Sequence, residues 1–143
     1  MSDLERAIEL LKAGGCSCVL FRDGTTYTST KRGVAPLVEW LAGGTDIIGF
    51  SAADKIVGKA AALLFIMGGV KEVYAPVMSE TAAEILAHHG IHAEYETLVR
   101  TIINRGGTGP CPMEQAVSGI DDPAEGLKAI QSTMAALAAG REG

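Results

Sequence analysis

No block of lysine and arginine runs through this chain; its nearest approach is the pair Lys31-Arg32. With a formal net charge of −5, the chain offers no electrostatic footprint for duplex nucleic acid or an anionic membrane surface. Long hydrophobic runs are missing as well. The most apolar stretch, Ala60 to Met67, is eight residues long, against the roughly 20 that a bilayer-crossing helix needs. The N-terminus is acidic and amphipathic where a signal peptide would be apolar. Cysteine is scarce: three residues, two of them in Cys16-Ser17-Cys18, do not make a disulfide framework. Together these absences predict a reduced, cytoplasmic protein with neither nucleic acid nor membrane as partner.

What is present suits a globular fold. At 143 residues, 48% hydrophobic and 20% charged, the chain has the size and composition of one packed domain. No repeat, low-complexity tract or linker divides it, so residues 1-143 read as a single domain. Its terminal helices are expected over 1-13 and 123-140.

Ser2-Asp3-Leu4-Glu5 has capping-box spacing, and Leu4, Ile8, Leu10 and Leu11 follow at helical intervals up to Gly14-Gly15. Two strand-like runs flank Arg22-Asp23-Gly24, a hairpin signal, with Cys16, Cys18 and Leu20 expected on one face. Gly33 to Leu41 reads as a helix with Pro36 in its first turn. "TDIIGF" reads as a short strand. "SAADKIVGKAAALLFIMGG" reads as a buried helix closed by Gly68-Gly69, since its apolar residues wrap most of the circumference beyond Lys59. "VKEVYAPVM" is a strand with Pro76 near its end, "SETAAEILAHHG" a helix capped by Ser79, and "IHAEYE" a short strand. Helices from about Pro112 and after Asp121-Asp122-Pro123 complete the chain. Strands alternating with helices after a hairpin predict an α/β protein, a three-layer α/β/α sandwich with a mixed sheet.

That order, with the wording "FSAADKIVGKAAALLF" and "VYAPVMSETAAEILAHHGIHAEY", resembles the cytidine-deaminase-like fold over about residues 14 to 120. The phrases "ADKIVGKAAALL", "VYAPVMSETA" and "CPMEQAV" are closer still to a small prokaryotic branch of that superfamily with no assigned function and no zinc ligands. In the superfamily a His-x-Glu or Cys-x-Glu motif opens the buried helix, and Pro-Cys-x-x-Cys opens the following one. Carried over, the first zinc ligand falls at Ala52, the glutamate at Asp54, and the two cysteines at Ser79 and Ala82. A deaminase zinc needs three N or S ligands to activate its water, and none stands here. The resemblance thus implies the fold without zinc, without a cofactor and without hydrolytic deamination.

Several residues remain candidates for chemistry. Asp54, Lys55 and Lys59 are expected in the first turns of the buried helix, where a bound anion would account for two lysines beside a helix N-terminus. Ser79 and Thr81 open the neighbouring helix and are expected beside the same cleft. His88, His89 and His92 are better explained by a helix C-terminus than by a metal.

The stretch "GGTGPCPMEQ" lacks the Gly-Lys-Ser/Thr of a phosphate loop and the second cysteine of a zinc pair. It reads as a glycine loop running into a helix that begins at Pro112, with Cys111 and Glu114 lining the pocket. The reading these features favour is a protein that binds a nucleotide-like or other anionic small molecule through Asp54, Lys55, Ser79, Thr81, Cys111 and Glu114, with no metal. One rival is an enzyme using Cys111 as nucleophile or redox thiol, with Glu114 or Asp54 as acid/base. Another is a structural or regulatory subunit: the alanine-rich "AIQSTMAALAAG" suits close helix packing, and the superfamily's habit of oligomerising makes a homodimer an expectation.

Overall fold

A computed structural model describes residues 1–103, 107, 109 and 111–142. Most of the expected glycine loop, at 106, 108 and 110, lies outside the described residues. The chain opens with α1 (Asp3–Lys12), whose first turn is capped by the Ser2 hydroxyl accepting from the Glu5 N–H at 3.1 Å. The hairpin follows, β1 (Cys18–Arg22) and β2 (Thr25–Ser29), then α2 (Ala35–Ala42) with Pro36 in its first turn.

Next come β3 (Ser51–Asp54), β4 (Ile56–Val57) and α3 (Lys59–Gly68). The chain continues through β5 (Glu72–Ser79), α4 (Glu80–His88) and β6 (His92–Val99), and closes with α5 (Pro112–Ala116) and α6 (Pro123–Glu142).

The six strands form one mixed sheet. β1 runs antiparallel to β2 and β3, whereas β3, β4 and β6 all run parallel to β5. β3 and β4 lie along β5 in the same register, Ser51 beside Glu72 and Ile56 beside Val77, so they are one strand interrupted at Lys55. That register sets Lys55 alongside Pro76, which has no N–H to give a ladder. On its other side β5 pairs β6 through Ala75 and Val77 but skips Pro76. A proline inside a central strand is unusual, and both ladders lapse at it.

Helices cover the sheet unequally. Leu4, Ala7 and Leu11 of α1 pack on Val19, Ala53 and Tyr74 of one face. The other face carries the larger core: Cys18, Leu20, Ala52 and Val73 of the sheet lie under Leu37 of α2, Leu63, Leu64 and Phe65 of α3, and Leu86 of α4. Ile130 of α6 joins that core from outside. The molecule is an α/β fold with helices on both faces.

Three expectations need correction. The long buried helix does not begin at Ser51; residues 51–57 are extended and the helix begins at Lys59. Ser51 to Asp54 are buried on both faces of the sheet, and a central strand in that position is a plain apolar run that alanine disguises as helix. "TDIIGF" is not a strand but a turn, in which Asp46 Oδ1 accepts from the Ile48 N–H at 3.1 Å. Cys16 does not share a face with Cys18 and Leu20: it precedes β1 and packs with the α1 cluster.

Candidate functional site

The start of α3 is where distant parts of the chain converge. Its N-cap is Gly58, which has no side chain to hold the first free N–H groups. Glu114 of α5 supplies the missing acceptor. Its Oε1 accepts from the Lys59 N–H at 2.7 Å and its Oε2 from the Ala60 N–H at 2.8 Å. Glu114 lies so close that a Cβ on residue 58 would sit 2.2 Å from Oε1. What a side chain at this position would have to displace is the approaching carboxylate; the backbone angles of Gly58 are extended and make no demand for glycine. Both bonds are charge-assisted and sit at the positive end of the helix dipole. α5 is itself positioned by Pro112 in its first turn and by the Cys111 N–H, which donates to the Ile102 carbonyl at 3.1 Å.

The Lys59 side chain ties the same helix start to the entry of α6. It is nine-tenths buried, and its Nζ lies 3.0 Å from Asp121 Oδ1 and 3.5 Å from the Ser118 carbonyl. Asp122, next along, accepts from the Glu125 N–H at 2.9 Å and so starts α6. Beside this knot a groove of about 620 Å³ runs between α4 and the α6 entry, within the roughly 300–1,000 Å³ usual for small-molecule sites. Thr81, Glu84 and His88 line one side of it, one turn apart along α4; Lys59, Asp121 and Asp122 line the other. The His88 and His89 rings meet edge to face, 5.6 Å apart, at its far end.

Asp54 occupies a different setting. It ends β3, is 5% exposed, and faces Cys18 across the β1–β3 pair. Burial pushes its carboxyl up to about 8, against the pull of the Lys55 and Ile56 N–H groups. The Cys18 thiol is also pushed well up, first by burial, then by the neighbouring Asp54 and by Cys16. On the opposite face, burial and a hydrogen bond to Glu96 raise the Tyr74 hydroxyl to about 12.

The six residues expected to share one ligand site are thus distributed. Glu114 reaches the start of α3, and Thr81 lines the groove beside Lys59. Ser79 is buried and engaged, its hydroxyl accepting from the Ala82 N–H at 3.1 Å. Asp54 is sunk in the sheet, Lys55 is exposed at the strand interruption, and Cys111 is the half-buried N-cap of α5. Among the described residues no side-chain hydrogen bond joins Cys111 to a histidine. Gly58, Glu84 and Asp121 were not read as site residues from the sequence. Thr81, Glu84 and His88 do carry a signal, the spacing of one helix face.

The residues at the positions carried over from the deaminases do not fit a zinc ion. Ala52 and Ala82 have no donor atom, and the Ser79 hydroxyl is already a helix cap. Ala52 and Asp54 also lie on a strand and open no helix. The residues that begin α2, α3 and α4 include no histidine or cysteine. Among the described residues no group of three or more His, Cys, Asp or Glu side chains is placed to hold a metal. None of the described helices is long and apolar enough to cross a membrane.

A six-stranded mixed sheet with helices on both faces, joined by parallel crossovers along β5, defines an α/β protein of a recognisable kind. Residues 6–134 match the family model described as TM1506, a domain of unknown function (DUF1893), and the chain belongs to that family. The crystal structure of TM1506, a DUF1893 family protein from Thermotoga maritima, is similar at 27% identity with a TM-score of 0.82, covering 92% of this chain and 90% of that one. The apo dCMP deaminase of the cyanophage S-TIM5 overlaps it in part, at 14% identity with a TM-score of 0.43, covering 65% of this chain and 93% of that one. Among curated proteins none matches.

Proposed function

We propose that this protein binds a nucleotide-like or other anionic small molecule at the start of α3, without zinc and without deaminating it. The observation that carries this reading is the Glu114 carboxylate on the Lys59 and Ala60 N–H groups. This point of the fold accepts a negative group, and the Glu114 carboxylate fills it. A ligand carboxylate or phosphate would take the same two N–H groups with Glu114 swung aside, and the adjoining groove would hold the rest of the molecule. The donor set supports zinc-independence, since no residue at the three helix starts is a thiolate or imidazole.

Calorimetric titration with inorganic phosphate, a nucleoside monophosphate and the matching uncharged nucleoside tests the reading on the intact chain and on Glu114→Ala. Removing the internal carboxylate should tighten the two anions by about tenfold, roughly 1.4 kcal/mol, and leave the nucleoside unchanged. Absence of anion binding to both proteins would refute the reading. So would zinc-stimulated release of ammonia from a cytidine nucleotide.

A further inference from the structure

Cys18 and Asp54 face each other where the antiparallel β1–β3 pair ends, and opposed residues of such a pair point to the same side of the sheet. Three features meet there. The strand breaks off after Asp54, opposite the proline that interrupts both ladders of β5. Beyond the break the seam holds by a single longer bond, from the Lys55 N–H to the Ser17 carbonyl at 3.3 Å. The Asp54 carboxyl is buried, and no described ion pair includes it.

We propose that the β1–β3 seam is a proton-operated latch, shut while the Asp54 carboxyl is neutral and loosened once it ionises.

Among the described residues, a carboxylate formed at this place has no cation paired with it. From β1 it faces the Cys18 thiol, which burial above all holds in the neutral form. From β5 the residues alongside, Ala75 and Pro76, do not titrate. On its own strand the Lys55 side chain is exposed. The helices over this face present Leu37, Leu63, Leu64 and Phe65, while Glu39 of α2 is paired with Lys31 and Lys59 of α3 with Asp121. Among the described residues the compensation comes from the Lys55 and Ile56 N–H groups, the first of which also reaches the Ser17 carbonyl, and burial outweighs them. A charge here must therefore be hydrated, which requires β1 and β3 to part locally.

The sign follows from linkage. With its carboxyl raised from 3.8 to about 8, the closed seam holds a proton that the open seam gives up. Opening is thus favoured by about tenfold per pH unit through that interval and by no more above it.

Hydrogen exchange on the full chain, corrected for intrinsic amide rates, reads this directly from about pH 5 to about pH 9. Amides of residues 17–22 and 51–57 should lose protection by about tenfold per pH unit and level off near pH 8, while amides around Ile130 of α6 show no such slope. Asp54→Asn should abolish the slope. A wild-type seam whose protection is independent of pH overturns the proposal, as does an equal slope in Asp54→Asn. Should that variant fail to fold, the carboxyl-carbon NMR resonance of Asp54 in the wild-type chain decides. A midpoint near 8 that coincides with the break in protection supports the latch, and one near 4 overturns it.

Discussion

Gly58 and Glu114 form a two-part device in which neither residue explains itself alone. The glycine is not demanded by backbone conformation, and the glutamate is not the cap of its own helix. Their contact spans 55 positions between Lys59 and Glu114, so no local pattern announces it. A methyl group at position 58 must push the carboxylate off the helix start, which strips two N–H groups of their acceptor. Gly58→Ala should therefore destabilise the protein by about 2–3 kcal/mol, read as a lower urea midpoint with unchanged slope. If the glycine were only a flexible joint, the same substitution would stabilise slightly. Other residues were legible because their partners lie within one helical turn: Ser2 and Ser79 cap the helices that their spacing announces. Asp54 was legible as a carboxylate of interest but not in its setting, since its burial depends on β1 and β5.

Among the elements, the failures of sequence reading have one cause. Helix and strand periods separate only where one face meets water, and residues 51–57 meet it at neither face of the sheet over most of their length. Alanine then tips the reading toward helix, whereas the pairing of β3 with β1 and β5 decides for strand. α1 and α4 each present one wet face and were read to within a few residues, while the hairpin was legible from its turn, Arg22-Asp23-Gly24. β6 proved longer than the sequence suggested, running on through Val99 because β5 offers it a partner that far.

The contact of α6 with α3 is of the same hidden kind. It is made through Gly126, where a Cβ would meet Leu63 Cδ1 at 2.9 Å. Replacing Gly126 with leucine should separate the two helices and cost about 1–3 kcal/mol, measured by urea unfolding. The gain in helix propensity, up to about 1 kcal/mol over glycine, works against this and makes the alanine variant the milder one.

Taken whole, the molecule is fastened from the inside and open at two extremities. Among the residues of α6 up to 140, Ile130 is the last buried one, Met134 still leans on the core, and residues 135–140 are exposed. Ending the chain after Met134 should leave the thermal midpoint within about 2 °C of the full-length value, checked by calorimetry. A larger fall would mean that the alanine-rich end is covered by a second copy in solution, as the homodimer expectation requires.

The other extremity is β6. It is the edge strand on that side of the sheet, eight residues long, with its outer row of peptide groups unclaimed among the described residues. Such a row invites a foreign strand. Glu94 and Glu96 stand at alternate positions along it, so two copies laid edge to edge would set carboxylates against one another. What stands between this border and a second strand is thus like charge along the edge, not a covering helix or loop among the described residues.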